Sequence, residues 1–320
     1  MAPTASRRPP PPPPIAAVVG PTASGKTDLA LALATRLPVE ILVADSRQVY
    51  RGMDLGTAKP DAAARAAVPH HLLDLADPHE AFSVVDWVER ARALVPEVAA
   101  RGRLPLVVGG TGLYLTALLD GYELPGQPPP AELRNRLVAE LEADGLPPLA
   151  ARLQRVDPAA AARTDLRNPR RVLRALERVE AADGGAAPTA GAAPYPGRIA
   201  VLGISRPPDV LRARIDARVA WMFANGLLDE VRSLIAAGYD ASLSPMTGHG
   251  YREATRVLAG EWDLARAIEV TARHTRQYAK SQLTWLCRDA RIVWLPAGDL
   301  PAADPPLVEQ AVDLLRALLS

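Results

Sequence analysis

The sequence predicts an α/β fold: a parallel sheet flanked by helices and carrying an all-helical insertion domain. Three observations carry this. The apolar run Ile15–Val19 leads directly into Gly20-Pro21-Thr22-Ala23-Ser24-Gly25-Lys26-Thr27, a G-x-x-x-x-G-K-T phosphate loop, and then into a leucine- and alanine-rich stretch with helical character. Short apolar runs recur over 40–46, 104–111, 198–204 and 291–295 with amphipathic segments between them, as the buried strands of a parallel sheet require. Between Gly121 and Gly191 the pattern supplies helices and no strand, which marks an insertion.

In chain order, residues 1–14 hold Arg7, Arg8 and six consecutive prolines and read as a disordered, proline-rich tail. The core domain is expected over 15–120 and 197–320, the helical insertion over 121–196. Glycines in the phosphate loop let backbone N–H groups converge on an anion, Lys26 neutralises its charge, and the Thr27 hydroxyl can hold Mg²⁺. The second strand ends at Asp45-Ser46, and open α/β sheets bind ligands at such carboxyl ends. On spacing alone Asp45 is equally a site carboxylate or a helix cap. The segments 47–50 and 52–60 lack any period and read as loops. His70 and His71 would point to opposite faces of an extended segment with no third ligand spaced for them, so a short strand beside the sheet is expected, not a metal site.

Ser83–Val98 reads as an amphipathic helix. The third long strand ends in Gly109-Gly110-Thr111, which opens a helix over Leu113–Leu119 and brings Thr111 to the same rim as Asp45. Within the insertion, Asn168-Pro169 is a helix start with an N-cap and a proline in the first turn. Val172, Leu173, Leu176 and Val179 share one face of that helix; Arg170, Arg171, Arg174 and Arg178 share the other. Such a charge run reads either as a solvated face or as a phosphate-backbone site. Residues 182–196 form a Gly/Ala/Pro loop. After the strand at 198–204, helices follow over 206–219 and 227–236, then a glycine-rich turn over 247–252, and a long helix over 265–286 that bears Arg273, Arg276 and Lys280 beside Tyr278 and Trp285.

Composition sets the limits. The 320 residues, 48% hydrophobic, can fill one large α/β domain with an insertion, or two domains. A formal net charge of +1 advertises no global basic field, so nucleic acid would have to be met by local patches. Cys287 is the only cysteine, which excludes an internal disulfide or a cysteine cluster for zinc and fits a reducing cytoplasm. No run approaches the roughly 18 apolar residues of a membrane span. A soluble cytoplasmic protein is expected. By residues alone it is a P-loop NTPase-like protein handling a phosphorylated substrate with Mg²⁺, and an ATP-dependent nucleotide or small-molecule kinase fits as well as any other.

A resemblance narrows this. The phosphate loop, Ala44-Asp45-Ser46-Arg47-Gln48-Val49-Tyr50, the Gly52–Pro60 segment, Gly109–Tyr114, Asn168–Glu177, Gly250-Tyr251-Arg252-Glu253 and Thr275–Trp285 resemble, in order, the motifs of the bacterial tRNA dimethylallyltransferase family. The resemblance implies transfer of a dimethylallyl group from dimethylallyl diphosphate to N6 of adenosine 37, beside the anticodon of tRNAs reading codons that begin with U. It implies Mg²⁺, with Thr27 as its protein ligand through the diphosphate. Asp45 then matches the general base, Thr111 the neighbour that positions the amine, and Arg218 the arginine that assists the diphosphate. The anticodon stem-loop would be clamped by Asp45, Ser46, Arg47, Gln48, Thr111, Arg134, Arg170, Arg171, Val172, Leu173, Arg174, Thr247, Gly248, His249, Gly250, Tyr251, Arg252, Arg276 and Lys280. A monomer is expected. Ser281 and the 182–196 loop depart from the family pattern, and both lie at the outer RNA contacts, away from the chemistry.

Overall fold

The computed structural model describes residues 11–121, 131–182 and 193–320. Most of the proline-rich tail, the prolines at 125 and 128–130, and most of the 182–196 loop lie outside them. The chain divides into two compact units, one formed by the residues up to Asp120 together with Pro194–Ser320, the other lying within Gly121–Ala193.

In the first unit, six parallel strands form one sheet among the described residues: β1 (Ile15–Val19), β2 (Val39–Ala44), β3 (His70–His71), β4 (Leu104–Gly109), β5 (Ile199–Ser205) and β6 (Ile292–Pro296). Their order is β3-β2-β4-β1-β5-β6. β1 is central and wholly apolar, buried from end to end, as a strand covered on both faces must be. The register sets Val19 beside Gly109 of β4, and Ala44 of β2 beside Gly109 from the other side. The loops leaving β1, β2 and β4 therefore emerge side by side. His71 lies on the short edge strand and its Nε2 is hydrogen-bonded to Glu40 at 2.7 Å, and among the described residues no cluster around it could hold a metal.

Helices cover both faces. On one side α1 (Lys26–Ala34) and α13 (Pro305–Leu319) pack with Leu29, Leu33, Val308 and Val312 against Val18, Leu106 and Leu202. On the other lie α3 (Val84–Ala100), α4 (Gly112–Thr116), which runs into a π turn over Ala117–Gly121, α9 (Pro208–Ala224), α10 (Leu227–Ala236), α11 (Tyr251–Leu258) and α12 (Leu264–Leu286). A short α2 (Ala62–Ala67), capped by Asp61, leads into β3. Ser83 caps α3 in a reciprocal capping box with Asp86. The helices α2, α11 and α13 extend the sequence expectation; Tyr251 and Arg252 open α11 and so lie beyond the turn read over 247–252.

The described elements of the second unit are all helices: α5 (Ala131–Asp144), α6 (Leu146–Val156), α7 (Pro158–Arg163) and α8 (Pro169–Ala182). Leu137, Leu149, Leu153, Val172 and Leu176 make its core. The Asn168 side chain accepts from Arg171 N at 3.3 Å, the cap the sequence called for.

Trp87 on α3 is fully buried, donates Nε1–H to Val43 O at 2.9 Å and stacks on Tyr114 at 4.8 Å. It thereby joins α3 to β2 and to the helix after β4. Trp87→Ala is expected to cost about 3–5 kcal/mol of stability in chemical denaturation, the range for a large aromatic removed from a packed core. A loss below about 1 kcal/mol would show that this contact does not organise the layer.

Candidate active site

The phosphate loop takes the form its sequence dictates. Gly25 sits in the left-handed region at φ 99° and opens α1, while Ala23 is held there at φ 62°, an unfavourable conformation for a residue with a Cβ. Neighbouring side chains take up the loop's carbonyls. Lys26 Nζ donates to Pro21 O at 2.7 Å. Arg214 Nε donates to Ala23 O at 2.9 Å, and Arg206 Nε to Ser24 O at 2.7 Å. Arg218 donates to the Thr22 hydroxyl at 3.1 Å and to Thr57 O at 3.4 Å. Arg206 follows β5 directly; Arg214 and Arg218 stand one turn apart on α9, so one ridge of that helix serves successive loop residues.

Four cations thus surround one loop. Burial, and secondarily the Arg218 charge, pull the Lys26 ammonium down from the usual lysine range to about 8, with Asp45 opposing them. Burial likewise lowers Arg218, again against Asp45. Asp45 is therefore the local counter-charge to both, and it stands at the carboxyl end of β2, beside the phosphate loop.

Asp45 also closes a turn; no helix begins directly after β2, so it caps none. Its Oδ1 accepts from Arg47 N at 2.8 Å and from Gln48 N at 3.4 Å. Both hydrogen bonds end on Oδ1, so among the described residues Oδ2 accepts none. Ser46 N donates to Thr111 Oγ1 at 3.3 Å, which sets Thr111 beside the Asp45 turn. Tyr278 of α12 interacts with Thr111 and Gln282; burial and the Asp45 charge push its phenol up to about 12. Asp45, Thr111, Lys26 and Arg218 come together at the carboxyl edge of β2, β4 and β1: a cationic anion-binding loop with a carboxylate and a hydroxyl at its rim. This arrangement can hold a diphosphate and remove a proton from a nucleophile beside it.

The remaining sequence candidates divide. Arg47 donates to Ser244 O at 2.7 Å and so holds the turn leading to Thr247 and Gly248, and Gln48 is bound to Thr57 O and Ala58 O. His249 is exposed, with ring centroids 5.7 Å from His274 and 5.8 Å from Tyr278. Gly250 N donates to the buried Glu253, which also takes up Arg252. Lys280 is exposed, whereas Arg276 pairs with Asp216. Tyr251 is a correction: it is buried, its hydroxyl is bound to Glu230, and its side chain braces the 52–60 loop without facing solvent.

In the helical unit, Arg170, Arg171 and Arg174 are exposed and carry no ion pair among the described residues, while the acids of the same helix, Glu177 and Glu180, are taken by Arg134, Arg136 and Arg152. Two further candidates are corrected here: Val172 is wholly buried and Leu173 is packed against the same core, so they build the helix. Arg134 is exposed, 3.7 Å from Glu177.

Sequence reasoning missed Arg206, Arg214 and Gln282. Arg214 stands in an amphipathic pattern as one more polar position, and only the approach of α9 to the loop gives it a role. Gln282 had a signal, four residues from Tyr278 on one face of α12.

The chain is similar to known proteins over most of its length. The family described as IPP transferase matches residues 48–289, and that described as Isopentenyl transferase matches residues 13–71. A tRNA dimethylallyltransferase of Roseiflexus castenholzii is 46% identical over 300 residues, covering 94% of this chain and 96% of its own. One from Anaeromyxobacter sp. (strain Fw109-5) is 49% identical, covering 87% and 93%. Among solved structures, the tRNA isopentenylpyrophosphate transferase of Bacillus halodurans is similar with a TM-score of 0.69 at 37% identity, over 96% of this chain and 97% of that one. A eukaryotic dimethylallyltransferase acting on tRNA has a TM-score of 0.75 at 25% identity, over 94% and 78%.

The Lys26 ammonium at about 8 yields a pH prediction. Between that value and the usual lysine value the folded protein holds less proton on Lys26 than the unfolded chain does, and a bound phosphoanion restores it. Affinity for a diphosphate ester should therefore fall by up to about tenfold per unit as pH rises above 8. Lys26→Ala should bind more weakly and lose that dependence. Calorimetric titration across pH checks both, and an unchanged pH profile in the variant would remove Lys26 from the anion site.

Proposed function

Because the chain belongs to the IPP transferase family, we propose that it transfers a dimethylallyl group from dimethylallyl diphosphate to N6 of adenosine 37 in tRNAs that read codons beginning with U. It is a prenyl-transferring enzyme. The observation that carries the site assignment is the convergence of Asp45 and Thr111 on the loop held by Lys26, Arg214 and Arg218. In this reading the allylic carbon–oxygen bond breaks, the N6–carbon bond forms, and the diphosphate leaves onto the loop's N–H groups and cations. Adenine N6 is a poor nucleophile because its lone pair is delocalised into the ring. Asp45 takes the amine proton and Thr111 orients the amine.

The donor set suits Mg²⁺. A small hard cation that keeps most of its waters takes one or two protein oxygens and the substrate's phosphates. Thr27 offers a hydroxyl in the first turn of α1, and no cluster of three carboxylate, imidazole or thiol groups forms an alternative cage among the described residues. When bound, Mg²⁺ supplies further counter-charge to the diphosphate.

The exposed arginines Arg170, Arg171 and Arg174 of α8 suit the RNA backbone of an anticodon stem-loop. Among the described residues no helix is long and apolar enough to cross a membrane, and we assign the reaction to the cytoplasm. Incubation with dimethylallyl diphosphate, Mg²⁺ and unmodified tRNA should add one isopentenyl mass to adenosine. Turnover of ATP without tRNA would instead favour the kinase reading.

Asp45→Asn keeps an oxygen to accept from Arg47 N and removes the proton acceptor. Stability should hold while single-turnover transfer at saturating donor and tRNA slows by roughly 10²- to 10⁴-fold. A variant that melts early yet transfers at the normal rate would leave Asp45 the closing of its turn and nothing more.

Replacing Arg170, Arg171 and Arg174 together with alanine should weaken tRNA binding and flatten its salt dependence by about 0.7–0.9 logarithmic units per lost phosphate contact. Donor affinity should not move. An unchanged salt slope would return these arginines to an ordinary solvated face.

A further inference from the structure

Gln282 lies on α12, buried, between two loops of the site. Its Oε1 accepts from Thr22 N at 2.8 Å and its Nε2 donates to Gly110 O at 3.0 Å. The orientation is forced, since a backbone N–H can only donate and a backbone carbonyl can only accept. Thr22 belongs to the phosphate loop and its hydroxyl holds Arg218. Gly110 precedes Thr111, whose hydroxyl accepts from the residue next to Asp45. β1 and β4 are adjacent strands, so the two loops leave the sheet side by side, and the Gln282 amide fills the gap between them.

The fit is tight on the other side too. A Cβ at Gly110 would collide with the Gln282 amide, and a Cβ at Gly112 with the Trp285 indole. Tyr278, Gln282 and Trp285 therefore form one face of α12 seated against a turn that must be glycine to receive it. Among the common side chains only glutamine suits. Asparagine is a methylene shorter, and an ionised glutamate would set a negative oxygen against Gly110 O.

Resting on the transferase reading of the site, we infer that Gln282 is a positioning residue that fixes the donor's phosphate loop in register with the turn that presents the acceptor amine. One side chain sets the distance between leaving group and nucleophile, and the substrate need never touch it. Loss of register should therefore appear in the transfer step and not in the binding of either substrate.

The test uses two variants of the full chain, Gln282→Met and Gln282→Glu. Gln282→Met keeps length and burial without hydrogen bonds. Its affinities for dimethylallyl diphosphate and for tRNA, measured separately, should stay within about threefold while single-turnover transfer falls about 10²-fold, the scale of an ångström-sized misplacement. Gln282→Glu adds a readout that a merely structural role would not give. When protonated it donates to Gly110 O and accepts from Thr22 N as glutamine does; when ionised it cannot. Its transfer rate relative to the unsubstituted protein should rise as pH falls from about 8 to about 6. Wild-type transfer rates in folded Gln282→Met would overturn the inference, as would a flat rate ratio in Gln282→Glu, which decides the matter even where Gln282→Met does not fold. Absence of transfer by the unsubstituted protein would reject the transferase reading itself, a separate result.

Discussion

The structure depends on one backbone constraint: the tight turn of the phosphate loop leaves carbonyls that face the protein, and buried carbonyls need donors. Water could serve an exposed loop. This one is covered, and the chain supplies Lys26 for Pro21, Arg214 for Ala23 and Arg206 for Ser24. Each donor fixes the position of a different element. Arg206 ties down the end of β5 and also reaches Gly298 O and Leu300 O, so the segment after β6 closes over the loop's back. Arg214 and Arg218 require α9 to cross the site at one angle and one register.

The same solution concentrates positive charge. Cations that satisfy carbonyls also repel one another, which is why burial and the Arg218 charge lower Lys26 together. Asp45 offsets it at Lys26 and Arg218, and Asp28 and Asp299 offset it at Arg206. A bound diphosphate relieves it further, so the energy held in crowded cations becomes available to a ligand that brings negative charge, and most of all to a leaving group on which charge grows. Stability and function pull in opposite directions here, and the cost is met by the apolar layers on the two faces of the sheet.

Much of this was legible in the chain. The strands, their parallel arrangement and the phosphate loop follow from apolar runs and a glycine pattern, because a sheet covered on both faces admits few sequences. The carboxyl-end positions of Asp45 and Thr111 follow from the same rule. What escaped is of another kind. Arg214 and Gln282 act through helices that are remote in sequence, and an amphipathic period records only that a position is polar, not whether it meets water or a backbone carbonyl. Val172 and Tyr251 err the opposite way: they stand inside segments that the family resemblance assigns to RNA, yet they are buried, and a motif does not distinguish the residues that touch a ligand from those that hold up their neighbours.

Asp45 shows why two readings of one residue need not compete. The sequence left a helix cap or a base open; no helix starts directly after β2, and the turn Asp45 closes is compatible with the proposed base, one oxygen accepting from Arg47 N and Gln48 N and the other, among the described residues, from no donor. These uses support each other. An adenine amine becomes acidic only as its nitrogen bonds to carbon and gains positive charge, so the acceptor of its proton needs position more than strength. Two backbone donors on Oδ1 fix the carboxylate plane and point Oδ2 in one direction. A carboxylate free to rotate would have to be oriented in every turnover; one held by its own turn has paid that entropy during folding.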